Sequence, residues 1–556
     1  MYSPGCVQVK TRNNVSRALS VLGAFCRNHE VDEEEWPELE DTEDIDVEAL
    51  SMSNVMYACY CVFAYYLQQA DIDTKCAALR ALSGIFMGRP RVLLMLEQDG
   101  TIGEIMSQDS PADLQLESLR CWRDILLVEE KRVEGCEAKE RMDATGITVS
   151  KKISGDQDGD ATLIGGVLAQ HAPRLFQMTT SLDHRIRLAT VDLLGHLLRQ
   201  GLLNPMETVP FLFALQGDVQ NPSVRELALK LLVIEGEKRP DMLRQRVCDG
   251  VKQAYLLQRA VYPTKLDPTA VVRRKRDKTF EVECIFGSVF KECIRNSKKQ
   301  RQGLYRNLLG LFTSDDTSDE LMGRSAKSVD SVIVQELSLL LFAAQMLAHL
   351  PYNTASDPLF IIYHVNSIVA LQGAQLLDRL SSFLRNYGLS GSDEFDDHNT
   401  DEDALEQAAK CKVPSRKKEI AAVNKASFDA ARFAQLCVEA SAIVLLLRLK
   451  LFLRKVYNLS ETRCLEYSPE AKERICDKGV CAPADMPIFN GSLGMHAVEG
   501  TKSPRKTFDK DALIRQYAEF RRLMRSEHGS DALMSDSDDN PISRKRKGSD
   551  ASTSAN

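Results

Sequence analysis

A chain of 556 residues exceeds what one hydrophobic core usually organises, so several domains or an elongated repeat array is expected. With 44 % hydrophobic and 27 % charged residues and a net charge of −8, the whole-chain balance points neither to nucleic acid nor to membrane. The most apolar stretch, Ala440–Leu453, is broken by Arg448 and Lys450 well short of the roughly 20 residues that span a bilayer, and the first twenty residues lack a signal-peptide core, so a soluble protein is expected.

Taken in chain order, 1–30 reads as the start of a helical array. The segment 31–49 reads as an acidic loop, with eleven carboxylates and one aromatic, Trp36, in Asp32–Glu48. Helical repeats are expected over 50–144, a polar insertion over 145–161, and further helices over 162–390. A charged, disordered linker follows at 391–418, running from Asp393, Glu394, Asp396 and Asp397 to Arg416, Lys417 and Lys418. C-terminal helices occupy 419–528, and 529–556 is expected to be a disordered tail.

The helical pattern is clearest in Ser181–Gln200. Leu182, Ile186, Ala189, Leu193 and Leu197 draw one stripe at three-to-four spacing, and Gly201 ends it. Asn204-Pro205-Met206-Glu207 then reads as an N-cap, a proline at the first helical position and a capping acid. Asn221-Pro222 repeats the start signal ahead of Val224, Ala228, Leu231 and Ile234.

A short unit recurs: an apolar or β-branched residue, a cation, a small residue and an apolar pair. It fits Ile186-Arg187…Thr190…Leu193-Leu194 and Val224-Arg225…Ala228…Leu231-Leu232, 38 residues apart. A weaker copy is Thr74-Lys75…Ala78…Ala81-Leu82, and 40 residues later Leu114…Ser118…Cys121-Trp122 has Gln115 in the cation's place. The 72-residue gap to Ile186 is one repeat plus the polar insertion. A period near 40 with two helices per unit is that of HEAT repeats, in which each helix pair covers its apolar face by stacking on the next. The expected fold class is therefore all-α, a HEAT-repeat α-solenoid with disordered loops and tail.

No catalytic pattern emerges: the histidines form no HExxH, and neither a Walker A loop nor a GxSxG elbow occurs. Asp156, Asp158 and Asp160 suggest a calcium loop only until Gly159 and Val167 are found at the wrong places for one. The cysteines form no CxxC pair, and Cys59 and Cys61 are spaced unsuitably for a zinc knuckle, so buried free thiols are expected. Neither enzyme activity, a metal nor a cofactor is expected.

One charge feature departs from the average. Between Pro263 and Arg306 there are twelve Lys and Arg against five Asp and Glu, a net of +7. Arg273, Arg274, Lys275, Arg276 and Lys278 form one half; Lys298, Lys299, Arg301 and Arg306 form the other, beyond the apolar segment Phe280–Ile294. Placed at adjacent turns of neighbouring helix pairs, the two halves would present one basic edge to duplex DNA, or else a solvated surface loop. In the tail, Arg544-Lys545-Arg546-Lys547 has the composition of a nuclear-import signal, and Ser535 and Ser537 lie among aspartates that would suit phosphorylation.

Particular residues add a resemblance. Ser181–Pro222, Leu243–Val261, and Lys299 and Arg301 with Leu304, Leu308, Leu309, Leu311 and Phe312 resemble the Nipped-B family, also called sister chromatid cohesion protein 2. The most specific block is Leu347–Ile362, with Pro351-Tyr352 and Asp357-Pro358-Leu359-Phe360-Ile361. Ala442–Leu453 and Ile514–Met524 follow in the family's order, and Ala18, Leu19, Leu22, Gly23 and Cys26 match upstream. The likeness covers about residues 14–527.

The resemblance implies a hook-shaped solenoid in the nucleus, on chromatin, that is no enzyme but helps load cohesin for sister chromatid cohesion. It further implies contact with cohesin's ATPase heads and kleisin, binding of duplex DNA, and promotion of cohesin's ATP hydrolysis. Family proteins are longer, and nothing here matches the N-terminal region that binds a tetratricopeptide-repeat partner, so that partner is not expected. The alternative is a generic HEAT adaptor of the transport or phosphatase-scaffold type, which would need neither the basic edge nor the Pro351–Ile362 block.

Overall fold

The four copies of the short repeat unit fall on four helices that pack each on the next. The computed structural model describes residues 4–29, 55–69, 71–143, 155–262, 268–276, 279–313, 326–386, 430–470, 479–480, 486–490 and 518–526. These divide into two units. The first lies within Met1–Leu308, Gln345–Tyr352 and Ala482–Ile488; the second lies within Leu309–Ala344, Asn353–Cys481 and Phe489–Asn556. The acidic segment 31–49, the linker 391–418, the tail from 529 and its Arg544–Lys547 cluster lie outside the described residues.

In the first unit the order is α1 (Pro4–Asn28), α2 (Val55–Gln69), α3 (Ile72–Gly88), α4 (Leu93–Gln98), α5 (Thr101–Ile105), α6 (Ala112–Asp143), α7 (Gly155–Gln170), α8 (Ala172–Met178), α9 (His184–Arg199), α10 (Pro205–Ala214), α11 (Pro222–Lys238) and α12 (Pro240–Val261). Helices α3, α6, α9 and α11 carry the repeat copies and form a row in which each touches its successor, while α10 pairs with α12 alongside. The repeat array expected from the spacing is thus present here. At its start α1 and α3 approach closely: a Cβ on Gly23 would stand 2.6 Å from the Ala81 backbone, so only glycine fits.

The helix boundaries follow local chemistry. Asp183 caps α9, its carboxylate accepting from the Arg185 amide at 2.8 Å. At the other end Gly201 takes φ +72, its amide donating to Leu198 O while the Leu202 amide donates to Leu197 O. Asn204 caps α10 by accepting from the Met206 amide at 3.0 Å and donates its own amide to Glu207 at 3.3 Å. Asn221 departs from that pattern: its side chain donates to Asp218 at 2.8 Å and makes no cap bond. Leu182 also departs, for it precedes α9 and is 75 % exposed, while Ile186, Leu193 and Leu197 are buried. The 145–161 stretch is entered by α7 from Gly155, so Asp156–Asp160 lie on helical backbone.

In one copy the cation of the repeat unit is fully buried, while Lys75 and Arg225 are half-buried. Arg187, 1 % exposed, donates from Nε to Asp218 at 2.8 Å and from Nη1 to Ser181 O and Leu182 O. Asp218, fully buried in the turn before α11, also accepts from Asn221 and, at 2.6 Å, from the Tyr262 hydroxyl. Burial first, and then this carboxylate, push the Tyr262 phenol up to about 12. Gln115 in the earlier copy bonds only the turn before its own helix, its buried amide donating to Ser107 O at 2.5 Å, and α3 is joined to α6 by Arg80 donating to Glu117 at 2.7 Å. The ten cysteines whose side chains are described are free, and burial pushes the thiols of Cys121, Cys284 and Cys437 up to about 12.

The second unit contains α14 (Ala326–His349) as far as Ala344, then α15 (Ser356–Asn386), α16 (Ala430–Val456) and α17 (Glu461–Glu466). Helices α15 and α16 pack together, Leu376, Leu380, Leu436 and Leu445 being buried and Arg379 donating to Glu439 at 3.1 Å. Residues 518–526 add a helical segment whose Met524 fills the space above Gly373. By length and composition α15 alone among the described helices would cross a bilayer, but Leu359–Ile362 and Val365 are at most 1 % exposed, covered by protein.

Removing one partner of the buried Arg187–Asp218 pair leaves the other charge uncompensated. Asp218→Ala is expected to lower stability by about 3–5 kcal/mol in urea unfolding, and Arg187→Met in the same chain to restore much of it. An Asp218→Ala variant as stable as the parent would show the pair to be dispensable. His349, buried at the end of α14 in the first unit, is pushed down to about 4 by burial. Folding therefore favours its neutral form. Its contribution is whole above the ordinary value of 6.5 and falls away between pH 6.5 and 4, by roughly 3 kcal/mol. Stability measured against pH should lose that slope in a His349→Gln variant.

Candidate nucleic-acid interface

Helix α12 buries Val247, Val251, Ala254 and Tyr255 and ends at Tyr262, whose amide donates to Gln258 O. When the chain is next described, at 268, it is held by the same helix. The buried Gln258 accepts from the Thr269 amide at 2.9 Å and donates to Thr269 O at 3.0 Å, standing in for a neighbouring strand. Ala270, fully buried, donates to the Gln345 side chain at 3.2 Å and accepts from the Ile285 amide at 2.9 Å.

From this base rise β1 (Val271–Arg276) and β2 (Thr279–Cys284), an antiparallel pair. The register sets Val271 opposite Cys284, both buried, then Val272 opposite Glu283, Arg273 opposite Val282, Arg274 opposite Glu281, Lys275 opposite Phe280 and Arg276 opposite Thr279. Side-chain positions alternate along a strand, so Arg273 and Lys275 share one face of the ribbon and Arg274 and Arg276 the other. Arg273 is exposed, and Lys278 lies outside the described residues. Below the ribbon Phe286 stacks on Phe213 at 4.5 Å, and Arg225 donates to Ile285 O at 3.3 Å. The repeat cation of α11 thus secures the ribbon's exit, where that of α9 secures Asp218.

The second basic group lies on α13 (Lys298–Gly310). Lys298, Lys299 and Arg306 are exposed, while the half-buried Arg301 donates to Arg295 O. The helix is fastened to α12 at the end remote from the ribbon: Asn307 donates to Arg244 O at 2.7 Å and accepts from the Cys248 thiol at 3.2 Å. Arg244 and Gln258 are 14 residues apart, about 21 Å along a helix. The two groups therefore hang from opposite ends of α12.

This corrects the arrangement expected from the charge pattern. Arg273–Arg276 do not occupy a turn between helices; they lie on a strand and are divided between its faces. The signal was present in Thr279–Cys284, where Phe280, Val282 and Cys284 alternate with Thr279, Glu281 and Glu283. A two-residue connection, Asp277-Lys278, joins that run to the β-branched start of β1. Nothing in the sequence marks Gln258 and Gln345 as the anchors, since a buried glutamine is recognised only by the main chain it meets. Among the described residues no three His, Cys, Asp or Glu side chains are grouped to hold a metal ion.

A row of stacked helix pairs that carries a basic β-ribbon at one end of a helix is a helical repeat array with a charged strand pair built into it. Residues 164–368, which include the ribbon and α13, match the family described as the sister chromatid cohesion C-terminus of Nipped-B. The chain is 23 % identical to the Nipped-B-like proteins of Mus musculus and Homo sapiens over 552 residues, covering 91 % of this chain and 17 % of each relative. Against the Nipped-B protein of Drosophila melanogaster it is 21 % identical, over 66 % of this chain and 16 % of that protein. The Chaetomium thermophilum cohesin loader SCC2, C-terminal fragment, superposes with a TM-score of 0.55 at 13 % identity, covering 94 % of this chain and 32 % of that one. Residues 164–368 thus match that family's C-terminal model and the chain is similar to Nipped-B-like proteins over most of its length, while it spans about one sixth of the length of the mouse and human proteins.

The Gln258 clamp can be tested directly. Gln258→Ala is expected to speed amide exchange at Thr269 by at least about tenfold and to cost about 1–2 kcal/mol for the two half-buried backbone groups it abandons. Unchanged exchange would mean that the ribbon's base is held without it.

Proposed function

We propose that this chain is a non-enzymatic scaffold of sister chromatid cohesion that engages cohesin and duplex DNA on chromatin in the nucleus. The observation that carries the reading is the match to the sister chromatid cohesion C-terminus over 164–368, because that stretch contains both basic groups. Arg273, Arg274, Lys275, Arg276, Lys278, Lys298, Lys299, Arg301 and Arg306 are the DNA-facing residues of this reading. The repeat array suits the engagement of cohesin, because each helix pair touches only its neighbours and its surfaces can flex around a large partner. On this reading the chain contacts cohesin's ATPase heads and kleisin and promotes ATP hydrolysis there. The nuclear address is Arg544–Lys547.

Two measurements test it. Duplex affinity followed against salt should fall with a log–log slope on the order of −5, as for about six neutralised phosphates. Reversing Arg273, Arg274, Lys275 and Arg276 to Glu should flatten that slope. ATP hydrolysis by purified cohesin on duplex DNA should rise severalfold when the chain is added, and less with the reversed variant. A chain that binds cohesin without raising hydrolysis would limit its part to docking; a chain with no affinity for cohesin would end the reading.

A further inference from the structure

We propose that the β1–β2 ribbon enters the major groove of duplex DNA, with α13 remaining outside on the phosphate backbone. This rests on the duplex-binding reading above and adds the mode of contact.

The base of the ribbon is fixed. Ala270, Val271, Cys284 and Ile285 are buried, and Gln258 and Gln345 hold the entering strand by its backbone. Beyond Val272 four successive residues project the ribbon by about 13 Å at strand rise. A major groove is about 8.5 Å deep, so the reach suffices.

The placing of charge argues for a groove rather than a surface. A ribbon laid flat on a duplex uses one face, and cations on the other would meet only solvent. Here the register gives cations to both faces, Arg273 and Lys275 to one and Arg274 and Arg276 to the other. Two-sided cation placement matches a site with phosphates on both walls. The acids of β2 sit lower: Glu283 opposite Val272 and Glu281 opposite Arg274, while the last two pairs, Lys275 with Phe280 and Arg276 with Thr279, carry none. Net positive charge is therefore gathered in the last two pairs, next to the Asp277-Lys278 connection, whose own charges cancel.

Width selects the groove. Two strands lie about 4.8 Å apart and side chains stand on both faces, giving a body of roughly 10 Å. The major groove, about 12 Å wide, admits a two-stranded ribbon, and the minor groove, about 6 Å, does not. A charged edge also guards a small sheet against pairing with other strands, but for that purpose either sign serves. Strand β1 has four cations and no acid.

The first arm of the test uses the unaltered chain, so folding of a variant does not enter it. Affinity is measured by fluorescence anisotropy at fixed salt for three duplexes of one sequence: plain, with glucosylated hydroxymethylcytosine filling the major groove, and with netropsin in the minor groove. Expected are a loss of about tenfold or more for the glucosylated duplex and no change with netropsin. In a Lys275→Gln, Arg276→Gln variant whose helical circular dichroism matches the parent, the penalty for glucosylation should shrink. Equal affinity for plain and glucosylated duplexes overturns groove entry while leaving the duplex reading intact. Weakening by netropsin alone overturns the choice of groove. A chain that binds a peptide of residues 32–48 but no duplex overturns both readings and makes the ribbon an acidic-peptide site.

Discussion

Asp218 accepts hydrogen bonds from three directions: the Arg187 guanidinium on α9, the Asn221 amide at the head of α11 and the Tyr262 hydroxyl at the foot of α12. A fully buried carboxylate is tolerable only when its lone pairs are used, and here one group sets the spacing of three helices at once. Tyr262 is also where the chain leaves α12 toward the ribbon, and Arg225, one repeat on from Arg187, bonds the ribbon's exit at Ile285. The interaction that aligns consecutive repeats thus also fixes where the basic element begins and ends.

Much of the array is legible in the sequence because its determinants are local. Proline after asparagine at 204–205, glycine at 201 and the recurring small residue at Thr190 and Ala228 each act within a turn or across one packed pair. The same locality misleads at two points. Leu182 continues a three-to-four spacing, but the Asp183 cap starts the helix after it, and caps outrank periodicity at a boundary. The Asn221-Pro222 start signal holds, but the asparagine serves Asp218, a tertiary partner invisible in the spacing.

The ribbon escapes a sequence reading for a different reason. A run of Arg and Lys has no apolar periodicity of its own, so the helical context on either side extends across it by default. Its structure is decided by the partner strand, where alternation is plain, and by two buried glutamines that hold its base. The Pro351–Ile362 block illustrates the converse. It is the sharpest mark of the resemblance, and most of its residues are interior: Tyr352 packs edge-on against Tyr305 at 5.7 Å and Phe290 at 6.2 Å, and Leu359–Ile362 are buried, Asn353 alone being exposed. Its distinctiveness reports how a core is filled, and says nothing about what the surface touches.

The joints of the array differ in how far water reaches them. Where α9 meets the turn before α11 the guanidinium and the carboxylate are both buried; between α3 and α6 the pair is Arg80 on Glu117, and the Arg80 side chain is 56 % exposed. In a chain whose cohesion is a sum of nearest-neighbour links, unequal links make an unequal spring. Under tension such an array does not stretch evenly. It yields first at the solvent-screened joint between α3 and α6, and the buried joint beside the basic ribbon keeps its geometry while the far end gives way.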